Sequence, residues 1–567
     1  MATASPGDTI AKQVKARLQD LQALRGVFES HWQECGENFL PKRSDFTVQA
    51  AAGQKRTAKI YDGTPLQAAR GLASAVDGLL KAEPWLHVEA RDDSLEDDEE
   101  CKTWIDEVEK RIHKAIYNPK ARFRQASSEV DLDLVVFGTG PLYMGLAESR
   151  MHMAFRHYHL KDCFISENAD GEIDTAYVML HPTARQAEQA WGIGKLGPKV
   201  KEALSKESGG KPDKEKKFDF VWAVEPRRER DPAKKDNKNM PFRSVIIGCD
   251  DENVVLEEGF RKFPFAIPRW ETSADEVYGR APAMLALADA KSLQAVAKTT
   301  LRSGQMAVDP PLGVISNAVL SPVRTGAGKL TTIDPSVLAL YPGMKAIEPL
   351  ITGAQPKLGM EFQEALKLAI WDAMYRNILQ LPVNAPQMTA TEVLERMKEF
   401  VRLLGPVFGR LEADYLSPIA ECVYDWLEFL GLLPPMPDKL KVSGIRFTFS
   451  SAMQQARKQV EAGGAARAFE FMSAVAQFDP GVWDNYDGDK IARDNDTVFG
   501  MPRAWLMDVK QRDNIRGLRQ QQKHVAEMAQ MAAMAAQAAP RMAQAEKMGR
   551  EAMMLPAPGT AQPQVAA

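Results

Sequence analysis

Residues 388–437, MTATEVLERMKEFVRLLGPVFGRLEADYLSPIAECVYDWLEFLGLLPPMP, constrain the fold of this chain more than any other stretch. Thr389 stands where an N-cap would, and Glu392 follows three residues on, the pattern of a capping box. From Val393 the apolar residues return at helical spacing through Met397, Phe400, Leu404, Val407, Phe408, Leu411, Leu416, Ile419, Val423, Leu427 and Leu430. The spacing predicts one long amphipathic helix that stops at the cluster Pro434, Pro435 and Pro437. Pro406 and Pro418 each remove one internal donor and crowd the turn before them, so they bend this helix instead of abolishing it.

At 567 residues the chain exceeds what a single core supports, and about two to four domains follow. Apolar residues at 45% and charged residues at 26% describe an ordinary globular protein. The net charge of −4 provides no global basic field that would mark a nucleic-acid binder. It does not exclude a channel through which DNA passes, because tight phosphate binding would oppose movement. Cys35, Cys101, Cys163, Cys249 and Cys422 are scattered without CxxC spacing, which predicts reduced thiols in a cytosolic compartment. The first residues lack an apolar core of signal-peptide length, and no apolar run of about 18 residues occurs, so no membrane partner is expected.

Along the chain, residues 8–35 read as an amphipathic helix and 61–80 as a second one, opening at Thr64-Pro65 with threonine as cap. A strand LHVEA follows Pro84-Trp85, then helices at 97–117 and 122–136, ending at VVFGTGPLYMG. From 141 to 270 the texture is strands: LYMGLAE, HMAFRHYHL, TAYVML, FDFVWAVEP, RSVIIGCD and VVLEEG. Charged inserts at 203–217 and 226–240 read as exposed hairpin loops. Helices at 282–303 and 358–380 flank an insert rich in Pro, Gly and Thr. Residues 442–520 read as a smaller mixed unit with a strand GIRFTFS and a helix at 452–478. The tail from 521 reads as helical to about 553 and kinked at Pro540, with disorder beyond.

The order of these segments resembles the portal, or head-to-tail connector, proteins of short-tailed bacteriophages. The residues that carry it are Tyr61-Asp62-Gly63-Thr64-Pro65, Leu72-Ala73-Ser74, Pro84-Trp85, Phe137-Gly138-Thr139-Gly140, the run from Val277 to Pro282, and the Met-Thr-Ala-x-Glu-Val start at 388. Each motif is modest; their order supplies the specificity, over roughly 10–520. The resemblance implies an α+β fold with an α/β wing at 1–270 and a first stem helix at 271–303. A β-containing clip at 304–356, a second stem helix at 357–380 and a tunnel loop at 381–389 follow. A long wing helix at 390–440, a crown at 441–520 and a C-terminal helical barrel segment with a disordered tail at 521–567 complete it. It further implies a ring of about twelve subunits at one capsid vertex. Double-stranded DNA would pass through this ring. Its expected partners are terminase, the major capsid and scaffolding proteins, and tail adaptor proteins. Its expected location is the virion, and the host cytoplasm during assembly.

Arg280, Lys291, Lys298 and Arg302 recur at spacings of 11, 7 and 4 residues, so their helical directions agree within roughly 40° if Arg280 already lies in the helix. In a ring of such helices they would line a DNA channel and attract phosphate without reading sequence. The bland alternative is a solvated helix face, with Asp289 near the same stripe. Leu381, Pro382, Val383, Asn384, Ala385, Pro386 and Gln387 form the expected tunnel loop, which is stiff and uncharged; an ordinary helix connector is its alternative.

No catalytic set, metal site or cofactor is expected. GAGKLTT at 326–332 is not a phosphate cradle, because Val323 and Leu330 occupy the positions that need glycine and a hydroxyl. FGTGPLYMG lacks GxGxxG spacing and reads as a turn. His152, His157, His159 and Cys163 cluster without tetrahedral spacing, and the run at 92–100 reads as a solvated entry to a helix. The competing function is an enzyme of DNA packaging, an ATPase or nuclease, for which only Asp309 and the Asp-rich stretch at 484–496 offer candidates.

Overall fold

The computed structural model describes residues 6–376, apart from 49–50, 52, 82, 96–97, 148–151, 206–212, 232–233, 235, 325–328, 340–342, 344 and 351–355. It further describes 402–449, 470–475, 481, 507 and 509–552. Two compact units emerge, Met1–Gly464 and Ala465–Ala567.

The first unit is α+β. Helix α1 spans Pro6–Phe39, α2 Thr64–Leu80, α3 Glu99–Ile116 and α4 Phe123–Phe137, with strand β1 (Leu86–Ala90) after α2. Strands β2 (Leu142–Leu146) and β3 (Met153–His157) form a hairpin, and β9 (Phe265–Ala266) adds to the other edge of β2. Strands β4 (Cys163–Glu167), β5 (Ile173–Leu180), β6 (Phe220–Pro226), β7 (Phe242–Gly248) and β8 (Val254–Phe260) make an antiparallel sheet in chain order. Two short helices, α5 (Ala184–Trp191) and α6 (Pro198–Leu204), lie between β5 and β6. The charged insert at 203–217 therefore follows a helix and is not a hairpin loop, whereas 226–240 does join two paired strands.

The five-stranded sheet is buried on both faces, which is why β6 and β7 read as continuous apolar runs. Phe164, Tyr177, Val221, Ala223, Val245 and Ile247 pack on one face against Ala11, Val14, Leu18 and Leu21 of α1. Ile165, Ala176, Val178, Phe220, Trp222, Val224 and Ile246 point into the main core on the other. The same long helix enters that core further on, where Trp32, Cys35 and Phe39 are buried. Arg25 sits between the two regions. Its guanidinium donates to the carbonyls of Leu160, Lys161 and Cys163, pairs with Glu29 and lies 3.8 Å from the Phe164 ring centroid.

Two boundaries differ from the sequence expectation. The helix that runs through 402–411, a π-turn at Glu412–Leu416 and Ser417–Phe429 stops before the proline cluster, where Gly431 adopts φ 65°. It does not extend to 440. Ile445–Phe449, strand β12, pairs antiparallel with β1 and belongs to the first unit, not to a separate crown. The expected cap at Thr389 lies outside the described residues, as does the helix at 452–478 apart from 470–475.

In the second unit, helix Val509–Ala552 begins well before 521 and continues through Pro540. Its described side chains from Asp513 to Met534 are exposed apart from the half-buried Ile515.

A buried charge cluster joins α4 to the segment after α1. Asp133, fully buried, accepts from Arg43 and from His157 Nε2 at 2.8 Å, and Glu129 lies 3.4 Å from the other ring nitrogen. Burial opposes charge on both partners, yet each carries the other: His157 is raised above its ordinary 6.5 and Asp133 is held down to about 2. A raised histidine contributes stability that is fully present below pH 6.5 and disappears as pH rises through the folded value. His157→Gln should therefore cost most near pH 6 and progressively less toward pH 9, read from unfolding midpoints of the two proteins across that range.

The FGTG turn is a backbone crossing. Gly138 ends α4 at φ 82° and donates to Leu134 O, while its own carbonyl accepts from Trp270 N at 2.9 Å. A Cβ at Gly138 would overlap the carbonyl of Gly279. Gly138→Ala combines left-handed strain with overpacking and should cost about 2–5 kcal/mol in denaturant unfolding.

Candidate nucleic-acid interface

After β9 the chain enters α7 (Pro282–Leu285) and, past Ala286, α8 (Leu287–Val308). Leu287, Ala290, Leu293, Gln294 and Ala297 form the buried side of α8. Helix α10 (Pro356–Ala373) returns beside it, and between them stand a short pair β10 (Leu312–Val314) and β11 (Ile347–Pro349) and the short helix α9 (Pro335–Ala339). Gly359 lets the two long helices approach closely, since a Cβ there would meet the Thr300 side chain. The first helix of the pair thus ends at Val308, five residues beyond the expected 303.

Lys291, Lys298 and Arg302 are exposed and lie along one line of α8. Arg280 does not join them. It precedes α7, where its N–H donates to Glu271 O and its guanidinium Nε donates to Glu276 at 2.7 Å. The helical count cannot reach back to it. Lys291 Nζ pairs with Glu34 of α1 at 2.5 Å, and Lys298 Nζ stands 5.6 Å from the Tyr61 ring centroid. Among the described residues no hydrogen bond or ion pair engages Arg302.

This face of α8 is fixed in place by a residue the sequence reading passed over. Gln294 Oε1 accepts from Tyr61 N at 2.7 Å and Asp62 N at 3.0 Å, and its Nε2 donates to Asp62 O at 2.8 Å. Asp62 in turn accepts from Thr64 N and Oγ1 at the start of α2, and meets Lys367 of α10 at 3.0 Å. Burial would raise the Asp62 carboxyl, but Thr64 and Lys367 hold it below its ordinary value. The N-cap position of α2 is thus Gly63, not Thr64, and Asp62 just before it holds the first helical residue. An amide inside the apolar register 290, 293, 294 and 297 was the available signal.

The tunnel-loop residues Leu381 to Gln387 lie outside the described residues, and so does the stretch 484–496. Leu330, in the place a phosphate cradle would need a hydroxyl, is 90% exposed. Asp309 caps the end of α8. His159 accepts from Lys161 N at a short 3-10 turn, and Cys163 is buried, its thiol pushed up to about 12 by burial. Asp98 caps α3 by accepting from Cys101 N and pairs with Lys439. Among the described residues no group of three His, Cys, Asp or Glu side chains is arranged to hold a metal ion.

Helices and sheets followed by a helix pair that flanks a short β-element is the order of elements in this chain. Residues 11–507 match the family of bacteriophage head to tail connecting proteins, and the chain belongs to that family. It is similar to the probable portal protein of Bordetella phage BPP-1, 28% identical over 92% of this chain and 93% of that one. It is also similar to the portal protein of Salmonella phage epsilon15, 27% identical over the same shares. Among solved structures, a chain of a native gene transfer agent virion aligns at a TM-score of 0.34 and 10% identity, covering 80% of this chain and 96% of that one. So low a TM-score carries no argument. The function is that of a portal, the structural connector at the junction of phage head and tail.

Removing the Gln294 side chain would leave two backbone N–H groups and one carbonyl at the α2 entry without their partner. Gln294→Ala should destabilise the protein by about 1–3 kcal/mol, measured as a lowered unfolding midpoint.

Proposed function

We propose that this chain assembles into a closed ring of about twelve copies at one capsid vertex, through which double-stranded DNA enters and leaves. In this reading α8 and α10 are the stem, and the 304–356 segment is the clip that meets terminase and, later, the tail adaptor proteins. The wing faces the major capsid and scaffolding proteins. Assembly takes place in the host cytoplasm before the ring becomes part of the virion. The protein performs no chemistry; a separate terminase supplies the work. The enzymatic alternative draws no support from the family match or the curated relatives.

One observation carries the ring. The stem pair leaves Leu301, Val308, Leu358, Met360, Phe362 and Leu368 more than half exposed or nearly so, at 56%, 89%, 50%, 60%, 57% and 61%. An apolar surface of this density on two adjoining helices marks a protein interface. A heterologous contact, one face of the pair against a different face of the next copy, closes into a ring and buries it. Leu518, Val525, Met528, Met531 and Met534 of the C-terminal helix are similarly exposed and fit lateral packing among copies, where Met fills irregular gaps.

Native mass spectrometry with negative-stain class averages tests the ring. A closed assembly with a central hole is expected for the wild type, and Phe362→Asp should shift the population toward monomer. A wild-type protein that stays monomeric at every concentration, with or without its assembly partners, would sink the reading.

A further inference from the structure

Two ionic contacts with carboxylates of α1 border the basic face of α8, and they are not evenly distributed along it. Glu34 and Glu37 lie one turn apart on α1. Glu34 holds Lys291 at 2.5 Å and Glu37 holds Lys59 at 3.0 Å, the latter from the loop that carries Tyr61. The side chains of the Lys291–Glu34 pair are 48% and 50% exposed, so the pair is open to solvent and to any ligand. Lys298 and Arg302, further along the same face, have no carboxylate partner among the described residues.

Resting on the reading that this face meets DNA, we propose that Glu34 and Glu37 set its grip. They neutralise Lys291 and Lys59 and leave Lys298 and Arg302 as the standing positive charge. An exposed ion pair of this kind is worth only about 0–1 kcal/mol. A passing phosphate can therefore displace the carboxylate and be displaced in turn, with little net change. Full exposure of all four cations would instead hold the duplex and resist its movement. The carboxylates act as built-in competitors for phosphate. They are positioned by α1, whose buried side chains anchor it in both packed regions of the wing.

The test is binding of a random-sequence duplex to the assembled full-length protein, followed by fluorescence anisotropy between about 50 and 200 mM salt. Each cation freed to meet a phosphate should steepen the plot of log K against log salt by about 0.9. Glu34→Gln should give one such increment and tighter binding at low salt, and E34Q/E37Q about two. The swap E34K/K291E keeps the ion pair and should restore the wild-type slope, which separates charge competition from mere packing. K298Q/R302Q should weaken binding and flatten the slope. If K298Q/R302Q behaves so while E34Q matches wild type, the carboxylate proposal is overturned and the basic face survives. If K298Q/R302Q leaves binding unchanged, the basic face itself is wrong and the proposal falls with it.

Discussion

The first unit depends on a place where two backbones cross with no side chain between them. Gly138 and Gly279 face each other so closely that a Cβ on either would overlap the other's carbonyl oxygen. Around this crossing Gly138 O accepts from Trp270 N, Thr139 Oγ1 accepts from Gly279 N, and Trp32 Nε1 of α1 donates to Phe137 O. Trp32 also meets the Tyr278 ring edge-on at 5.1 Å. The end of α4, the middle of α1 and the segment leading into α7 are therefore set relative to one another by hydrogen bonds that only a close approach permits. The course of the chain into α7 and α8 follows from them.

Helix α4 is held from two sides by charge. Asp131 and Asp133 are two residues apart, so they point to different sides of the helix. Asp133 meets Arg43 and His157, while Asp131 meets Lys81 of α2 at 2.5 Å, with Asp77 adding a second carboxylate to the same ammonium. Burial pushes Asp131 up to about 6 even with this partner. Buried pairs of this kind contribute little net stability, because desolvation offsets attraction; what they fix is which surfaces meet. The π-turn at Glu412–Leu416 serves the same arrangement. Pro418 lacks the N–H that would bond Asp414 O, and Ser417 N reaches back to Glu412 O instead. That shift places Asp414 on Arg269 and the Tyr415 ring 5.1 Å from the Lys81 ammonium.

Much of this was legible in the sequence, and the exceptions have physical causes. The helices around 8–35, 64–80 and 99–116 and most strands followed from periodicity and turn residues, and the α+β class from the resemblance that their order carries. Strand β4 was missed because Cys163–Glu167 is short and its apolar residues face both sides. The fate of β12 was hidden because its partner, β1, lies more than 350 residues away, and pairing at that distance leaves no local mark. Helix 402–429 was extended too far because the prolines after 433 are stronger breakers on paper than the glycine that ends it. Gly431 can take φ 65°, and the chain turns there first. On the basic face, composition revealed Lys291, Lys298 and Arg302, but not Glu34, Tyr61 or Gln294. Those residues come from distant segments and meet α8 only through the tertiary fold.

Helices α8 and α10 are tied at both ends. Near the wing, Gln294 and Lys367 bind the 61–64 segment from both helices. Further along, Gly359 and Thr300 touch and β10 pairs with β11, while Leu301, Val308, Leu358, Met360, Phe362 and Leu368 face outward along the length of both helices. A helix pair with so many apolar side chains in solvent is incomplete as a single subunit. On the proposed ring, each neighbour would bury what the chain's own residues leave exposed. The wing would then supply direction through the Gly138–Gly279 crossing, and the neighbouring copy would supply burial. This division also accounts for the placement of the cations. Lys291 and Lys298 lie where α1 and the Tyr61 loop meet α8, and Arg302 lies one turn further along the same helix.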